Sequence, residues 1–232
     1  MRQVKNLLSL MLCWAAFSTL PPALAQEDAR AILDQIRVAQ GQLTEDLTGQ
    51  LRLANGTVIP FRLRLRGRQV TYEFDNPRES LTLDLGETGS QLREETRAGA
   101  QRVTGSRLLQ PVRNSDLTYE DLSLRFIYWR RAMVEGEQAI KTVPCWIILV
   151  QPGTATDSQY GSVRLWVQQE GGALMRAEGF DRQGQLIKRF ELISGQRIGG
   201  KWWLKQMRIE RLDPQTRRVV SRTYLEINAP EQ

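Results

Sequence analysis

Residues 47–74 read LTGQLRLANGTVIPFRLRLRGRQVTYEF, and their hydrophobic period is two. Leu47, Gly49, Leu51 and Leu53 alternate with Thr48, Gln50 and Arg52. Ile59, Phe61, Leu63 and Leu65 alternate with Pro60, Arg62, Arg64 and Arg66. Successive side chains on a strand point to opposite faces, so each run has one apolar and one polar face. Asn55-Gly56 stands between the runs and is the strongest short hairpin signal, because a tight hairpin turn needs positive φ at its centre. Gly67-Arg68 then turns the chain into Val70, Tyr72 and Phe74. The stretch predicts three antiparallel strands with a common apolar face.

The same pattern continues towards the C-terminus. Asp75-Asn76-Pro77 turns the chain into Leu81, Leu83 and Leu85, and a weaker strand is predicted near residues 91–97. Residues 98–121 are less regular, with Gly99, Gly105, Pro111 and Asn114-Ser115-Asp116. A short helix or lid fits residues 105–112. Alternation at Leu122, Leu124, Phe126 and Tyr128 predicts a further strand. Strands over 139–150, 162–168, 173–180, 185–193, 202–212 and 219–227 complete a meander, with turns at Gly171-Gly172, Gly199-Gly200 and Asp213-Pro214-Gln215. About eleven strands at this spacing indicate an all-β barrel or sandwich. On the N-terminal side the period changes to 3.6. Residues 28–40 predict a helix capped by Asp28, with Ala31, Ile32, Gln35, Ile36 and Ala39 on one face and Gly41 at its end.

The first 25 residues have the three zones of a cleavable signal peptide. Arg2 and Lys5 are basic, residues 7–17 form an apolar run, and Ala23-Leu24-Ala25 offers a small-x-small cleavage site. The run is too short for a membrane-spanning helix, which needs about 20 apolar residues. Export to the periplasm is expected, with residues 26–232 forming one domain. That mature part holds 30 Lys+Arg and 26 Asp+Glu, a net charge of +4. Its arginines alternate with apolar residues and make no basic block, so no nucleic-acid partner is expected. A weak attraction to anionic membrane surface fits this charge.

The sequence has no histidine. That removes the commonest general base, every Ser-His-Asp or Cys-His arrangement and the commonest zinc ligand. No phosphate loop, dinucleotide fingerprint or EF-hand loop occurs, so no cofactor and no metal site are expected. Cys145 is the single cysteine of the mature part and is expected to be a buried small hydrophobe; a reactive thiol would need an activating cation. Glu94-Glu95 and Glu120-Asp121 are the nearest carboxylate pairs. Read as strand neighbours, the members of each pair point to opposite faces, so neither is expected to be catalytic.

A sheet of about eleven strands twists and curls. Curled, it encloses more space than its own side chains readily fill. The inward residues would be Phe61, Leu63, Leu65, Tyr72, Phe74, Leu83 and Phe126. Such a lining suits an acyl chain. The same residues also suit a filled core, and alternation alone does not separate the two. Trp202-Trp203 puts one indole on each face of a strand, so at least one is expected outside the interior.

Several segments in order resemble the LolA-like outer-membrane lipoprotein-sorting proteins. Asp116-Leu117-Thr118-Tyr119-Glu120-Asp121-Leu122 is similar to the family's Asp-x-Ser/Thr-Tyr-Glu-Asp-Leu segment. Val143-Pro144-Cys145-Trp146-Ile147-Ile148-Leu149 is similar to its Cys-containing strand. Tyr160-Gly161-Ser162-Val163-Arg164-Leu165-Trp166-Val167 and residues 176–188 are similar to its Tyr-x-x-Val-x-x-Trp-Val and Arg-x-Glu-x-Tyr-Asp-x-x-Gly-x-Leu-x-Lys strands. The resemblance covers the chain from about residue 100 to the C-terminus. Phe180 replaces the usual Tyr, and Arg130-Arg131 stands after Trp129 where the family has Pro. The resemblance implies an unclosed antiparallel barrel with a helical lid over an apolar cavity. It also implies a monomeric carrier of lipoprotein acyl chains or other lipid, working beside an inner-membrane transporter or an outer-membrane receptor. A lipid- or peptide-sensing module on the same fold is the alternative, and an envelope enzyme is a third.

Overall fold

In the computed structural model, which describes residues 22–40, 44–153, 158–198 and 200–229, the hairpin at Asn55-Gly56 forms as read. Strands β1 (Thr44–Arg52) and β2 (Val58–Arg66) pair antiparallel, with Leu47 opposite Leu63 and Leu51 opposite Ile59. Gly56 sits at φ +85°, and the Leu53 amide donates to the Thr57 carbonyl at 2.9 Å across the loop. The meander continues through β3 (Gln69–Phe74), β4 (Glu79–Leu85), β5 (Ser90–Thr96) and a short β6 (Gly99–Arg102).

The chain then leaves the sheet. Residues 103–130 hold 3-10 turns at Gly105–Leu109, Val112–Asn114 and Arg125–Tyr128, and a single helical turn α2 (Tyr119–Ser123). This segment carries the chain to the far edge. There β7 (Arg131–Ile140) starts a second meander through β8 (Val143–Gln151), β9 (Ser162–Gln168), β10 (Leu174–Phe180), β11 (Leu186–Ile198), β12 (Lys201–Leu212) and β13 (Val219–Asn228). Strand β13 pairs with β1, so one sheet of 13 strands runs in the order β6-β5-β4-β3-β2-β1-β13-β12-β11-β10-β9-β8-β7. The end strands β6 and β7 do not pair with each other, and the barrel is unclosed.

Four expectations need correction. The strand expected through Leu122, Leu124, Phe126 and Tyr128 is helical. Thr118 and Asp121 form a reciprocal capping box that nucleates α2, and Leu124 ends it in the left-handed region at φ 50°. The 13 strands exceed the eleven expected because neither β6 nor β7 has a readable alternation in the sequence. The N-terminal helix α1 runs over Pro22–Gln40, so Asp28 lies inside it and does not cap it. Its buried face is Ala29, Ile32, Leu33 and Ile36, while Ala31 and Gln35 are exposed. The helix is turned so that Leu33 is covered, which removes more apolar area from water than covering Ala31. The expected stop at Gly41 and the signal peptide up to residue 21 lie outside the described residues.

The apolar faces of the strands meet two covers. The faces of β1–β5, β12 and β13 pack against Val103, Leu108, Val112, Leu117, Tyr119 and Leu122 of the connecting segment. The faces of β7–β10 pack against α1 and against Phe126 and Ile127. Leu124, Tyr128 and Phe190 touch both clusters and join them. Opposite, Ile140, Cys145, Trp166 and Met175 make a small separate cluster.

Candidate functional site

Six of the seven residues expected to line the interior come together. Phe61, Leu63, Leu65, Phe74 and Leu83 are buried in one cluster, and Tyr72 is half-buried against it. The Phe61 ring meets Tyr72 edge-on at 5.5 Å and Phe74 at 5.8 Å between centroids. Gly49 makes room for it: a Cβ there would lie 2.6 Å from the ring. Burial pushes the Tyr72 phenol up to about 12. Phe126 differs from the other six. It belongs to a 3-10 turn of the connecting segment, in the cluster under α1, and is part of the cover.

Between the sheet and the connecting segment, Leu108, Val112, Leu117 and Leu122 occupy the space next to these residues. Two clefts of about 380 Å³ each open elsewhere. One is bordered by Arg62, Arg64, Glu73 and Asp75, the other by Asn55, Asn114, Asp116 and Thr223. In this conformation the apolar face of the sheet is in contact with its cover.

A buried polar network fastens the cover, and the segment Asp116–Asp121 supplies its centre. Asp116 accepts hydrogen bonds from Ser221 Oγ and Thr223 Oγ1 of β13, both at 2.9 Å, and the Arg211 guanidinium of β12 lies 3.4 Å away. Tyr119 donates to Glu79 Oε1 on β4 at 2.9 Å and accepts from Arg107 Nη2 at 2.6 Å. Arg107 also donates to Glu94 of β5, with Nε at 3.2 Å from Oε2. Asp121 Oδ1 accepts from the Tyr160 hydroxyl at 2.6 Å, and Oδ2 from Lys188 Nζ of β11 at 2.7 Å. The cover is thus tied to strands of both halves of the sheet.

The carboxylates of the network are not alike. Burial raises Glu94, but hydrogen bonds from Arg107 and Gln101 outweigh it and hold the group below the usual range. Burial pushes Glu120 up, and its hydrogen bonds to Ser158 and the Gln159 amide offset only part of that. Glu120 is 1% exposed, and its Oε1 has no hydrogen-bond partner. Burial, with Asp121 beside it, pushes the Tyr160 phenol well up. On β5, Glu94 faces inward and Glu95 is exposed. Glu120 and Asp121 lie on α2, so strand alternation is not what separates them. Burial also raises the Cys145 thiol, which has no exposed surface. Among the described residues no group of three or more His, Cys, Asp or Glu could hold a metal ion. Sequence reasoning gave no role to Tyr160 or Lys188. Both stand in quoted segments, but nothing local shows that they converge on Asp121.

An unclosed antiparallel sheet curled about a helical cover defines the class: this is the LolA-type barrel. A family model described as uncharacterized-protein-like matches residues 98–231, more than half of the chain. The chain belongs to that family, and its fold is the one that the LolA-type solved structures share. Among solved structures it is similar to a putative outer membrane lipoprotein-sorting protein domain from Vibrio parahaemolyticus, at 20% identity and TM-score 0.68, covering 88% of this chain and 91% of that one. A DUF1329 family protein from Desulfovibrio piger matches at 21% identity and TM-score 0.65, covering 90% and 92%. A LolA superfamily protein from Nitrosomonas europaea matches at 13% identity and TM-score 0.59, covering 88% and 94%. No curated protein matches the sequence.

Proposed function

We propose that this protein is a periplasmic carrier that takes up lipoprotein acyl chains or other lipid between the apolar face of β1–β5 and the connecting segment. The observation that carries this reading is the nature of the cover. Residues 103–130 add no strand to the sheet; their first residue, Val103, donates its amide to Leu92 O, and the ties beyond it run mainly through side chains. A cover held in this way can swing off without unzipping a β-ladder.

The energetics permit an exchange. Exposing five buried apolar side chains of the cover costs roughly 8–15 kcal/mol at about 1.5–3 kcal/mol each. An acyl chain of about 16 carbons gains roughly 12 kcal/mol at about 0.8 kcal/mol per buried CH2. In apolar burial alone, the acyl chain and the cover are comparable occupants of one face, and uptake must also release the polar ties of the cover. The three signal-peptide zones at residues 1–25 and the likeness to a lipoprotein-sorting protein domain support a periplasmic setting.

Native mass spectrometry of the protein purified from the periplasm, with lipid extraction, tests the reading. A bound acylated species is expected, and Phe61→Asp is expected to lose it, because an unpaired charge on this face is strongly disfavoured. A clean apo mass with no uptake of added lipid would overturn it. The packing of the sheet face against its cover in this conformation would then favour the second reading, an interaction module that moves nothing.

A further inference from the structure

The hairpin of β11 and β12 extends past its neighbours. Strand β11 pairs with β10 only as far as Glu191, and β12 pairs with β13 only from Gln206 onward. Beyond these points the two strands pair only with each other, from Gly195 opposite Leu204 to Ile198 opposite Lys201. One face of this tip is anchored. Ile198 and Trp203 are buried in the main cluster, and Gln196 Nε2 donates to the Ile227 carbonyl at 2.8 Å. Lys141, on the β7–β8 turn, braces its base by donating to the carbonyls of Leu192 at 3.1 Å and Ile193 at 2.6 Å.

The other face carries Trp202 with Arg197 directly opposite it in the hairpin. Trp202 is 71% exposed, the highest value among the exposed large hydrophobic residues that the structure describes. Its indole lies beside Gly195, where an added Cβ would meet the ring at 3.4 Å in an ordinary contact, and the Arg197 guanidinium sits 5.1 Å from its ring centroid. The stretch 192–207 reads LISGQRIGGKWWLKQM: three cations, two tryptophans and no carboxylate. The acids nearest along the strands are committed. Glu191 pairs with Arg176 and Arg208, and Glu226 with Arg52. Glu87, on the β4–β5 turn, pairs with Arg68 at 3.5 Å. Glu170, on the β9–β10 turn, is two to three strands away, roughly 10–15 Å at the usual strand spacing, which is about a Debye length at physiological salt.

We infer that the β11–β12 hairpin tip docks this protein on an anionic lipid bilayer, with Trp202 at the headgroup level and the exposed Arg197 and Lys205 available to lipid phosphates. Tryptophan prefers that level because one end of its ring system is apolar and the other carries an N–H. Cations near an anionic surface add attraction that salt screens. The inference is independent of any cargo, since either a carrier or a sensor could dock in this way.

The test is co-sedimentation of the full exported protein with vesicles of phosphatidylethanolamine and phosphatidylglycerol, and with phosphatidylcholine vesicles as the neutral control. Binding is expected on the anionic vesicles, weakened by added salt. Trp202→Ser is expected to weaken it by roughly tenfold, and Arg197→Gln with Lys205→Gln by about fivefold per cation. Should Trp202→Ser fail to fold, the double Gln variant carries the test. Absence of binding, equal binding to neutral vesicles, or binding that neither variant weakens would overturn the inference. So would a protein partner that needs Trp202 where vesicles do not bind. Lipid extraction of the same preparation reads the carrier proposal separately.

Discussion

Lys188 Nζ lies 2.7 Å from Asp121 Oδ2, and neither side chain is more than 4% exposed. The pair joins β11 to the helical turn at the centre of the cover. Its cost of desolvation is met by further bonds: Asp121 also accepts from the Thr118 amide at 2.8 Å and from Tyr160. Removing one partner of such a pair strands the other charge, at about 3–5 kcal/mol. Lys188→Met is therefore expected to lower unfolding stability by that amount in urea titration. A loss under about 1 kcal/mol would mean that Asp121 is already satisfied by its remaining donors.

Glu120 gives a stability that depends on pH, with a definite sign. Its folded-state affinity for a proton is raised by burial, so the unfolded chain gives up that proton first. The stability linked to this group is fully present below the unfolded value, about 4.3 for a glutamate. It is lost as pH rises through the higher folded value. Glu94 works the other way: its contribution is present above the unfolded value and is lost as pH falls through its depressed folded value. Glu120→Gln is accordingly expected to be more stable than the unaltered protein at neutral pH, with the difference shrinking in acid. Thermal melts across pH 4 to 7 check this. A difference that grows in acid would reverse the assignment.

The parts of the fold that were legible are those in which one strand face is buried. β1, β2 and β4 alternate because each inward residue meets apolar neighbours and each outward one meets water. All four residues of β6 are exposed, so it leaves no periodic trace. β7 lies at the other edge, and its register shifts between Val134 and Gly136, which breaks the alternation. Residues 122–128 were misread for a related reason. Leu122, Phe126 and Ile127 are buried by the sheet they cover, and spacing along the chain reports only that they are apolar. Asp121, Tyr160 and Lys188 are 39 and 67 residues apart where they bond. No local pattern encodes that meeting, although each stands in a segment that resembles the family.

Gly179 of β10 shows how close that meeting is. A Cβ at this position would lie 2.2 Å from Cε1 and 2.6 Å from Cδ1 of Tyr160. Its backbone is not in the left-handed region, so the need for glycine comes from the ring and not from φ. Gly179→Ala must push Tyr160 away and lengthen its bond to Asp121, a strain of about 1–3 kcal/mol. The midpoint of thermal unfolding is then expected to fall by about 2–4 °C per kcal/mol. The added methyl and the ring are one contact, so their effects should not add. In a Tyr160→Ala background, Gly179→Ala is expected to cost much less than it does alone. Equal costs in both backgrounds would mean that Gly179 is needed for the backbone of β10 itself, and that Tyr160 is only its neighbour.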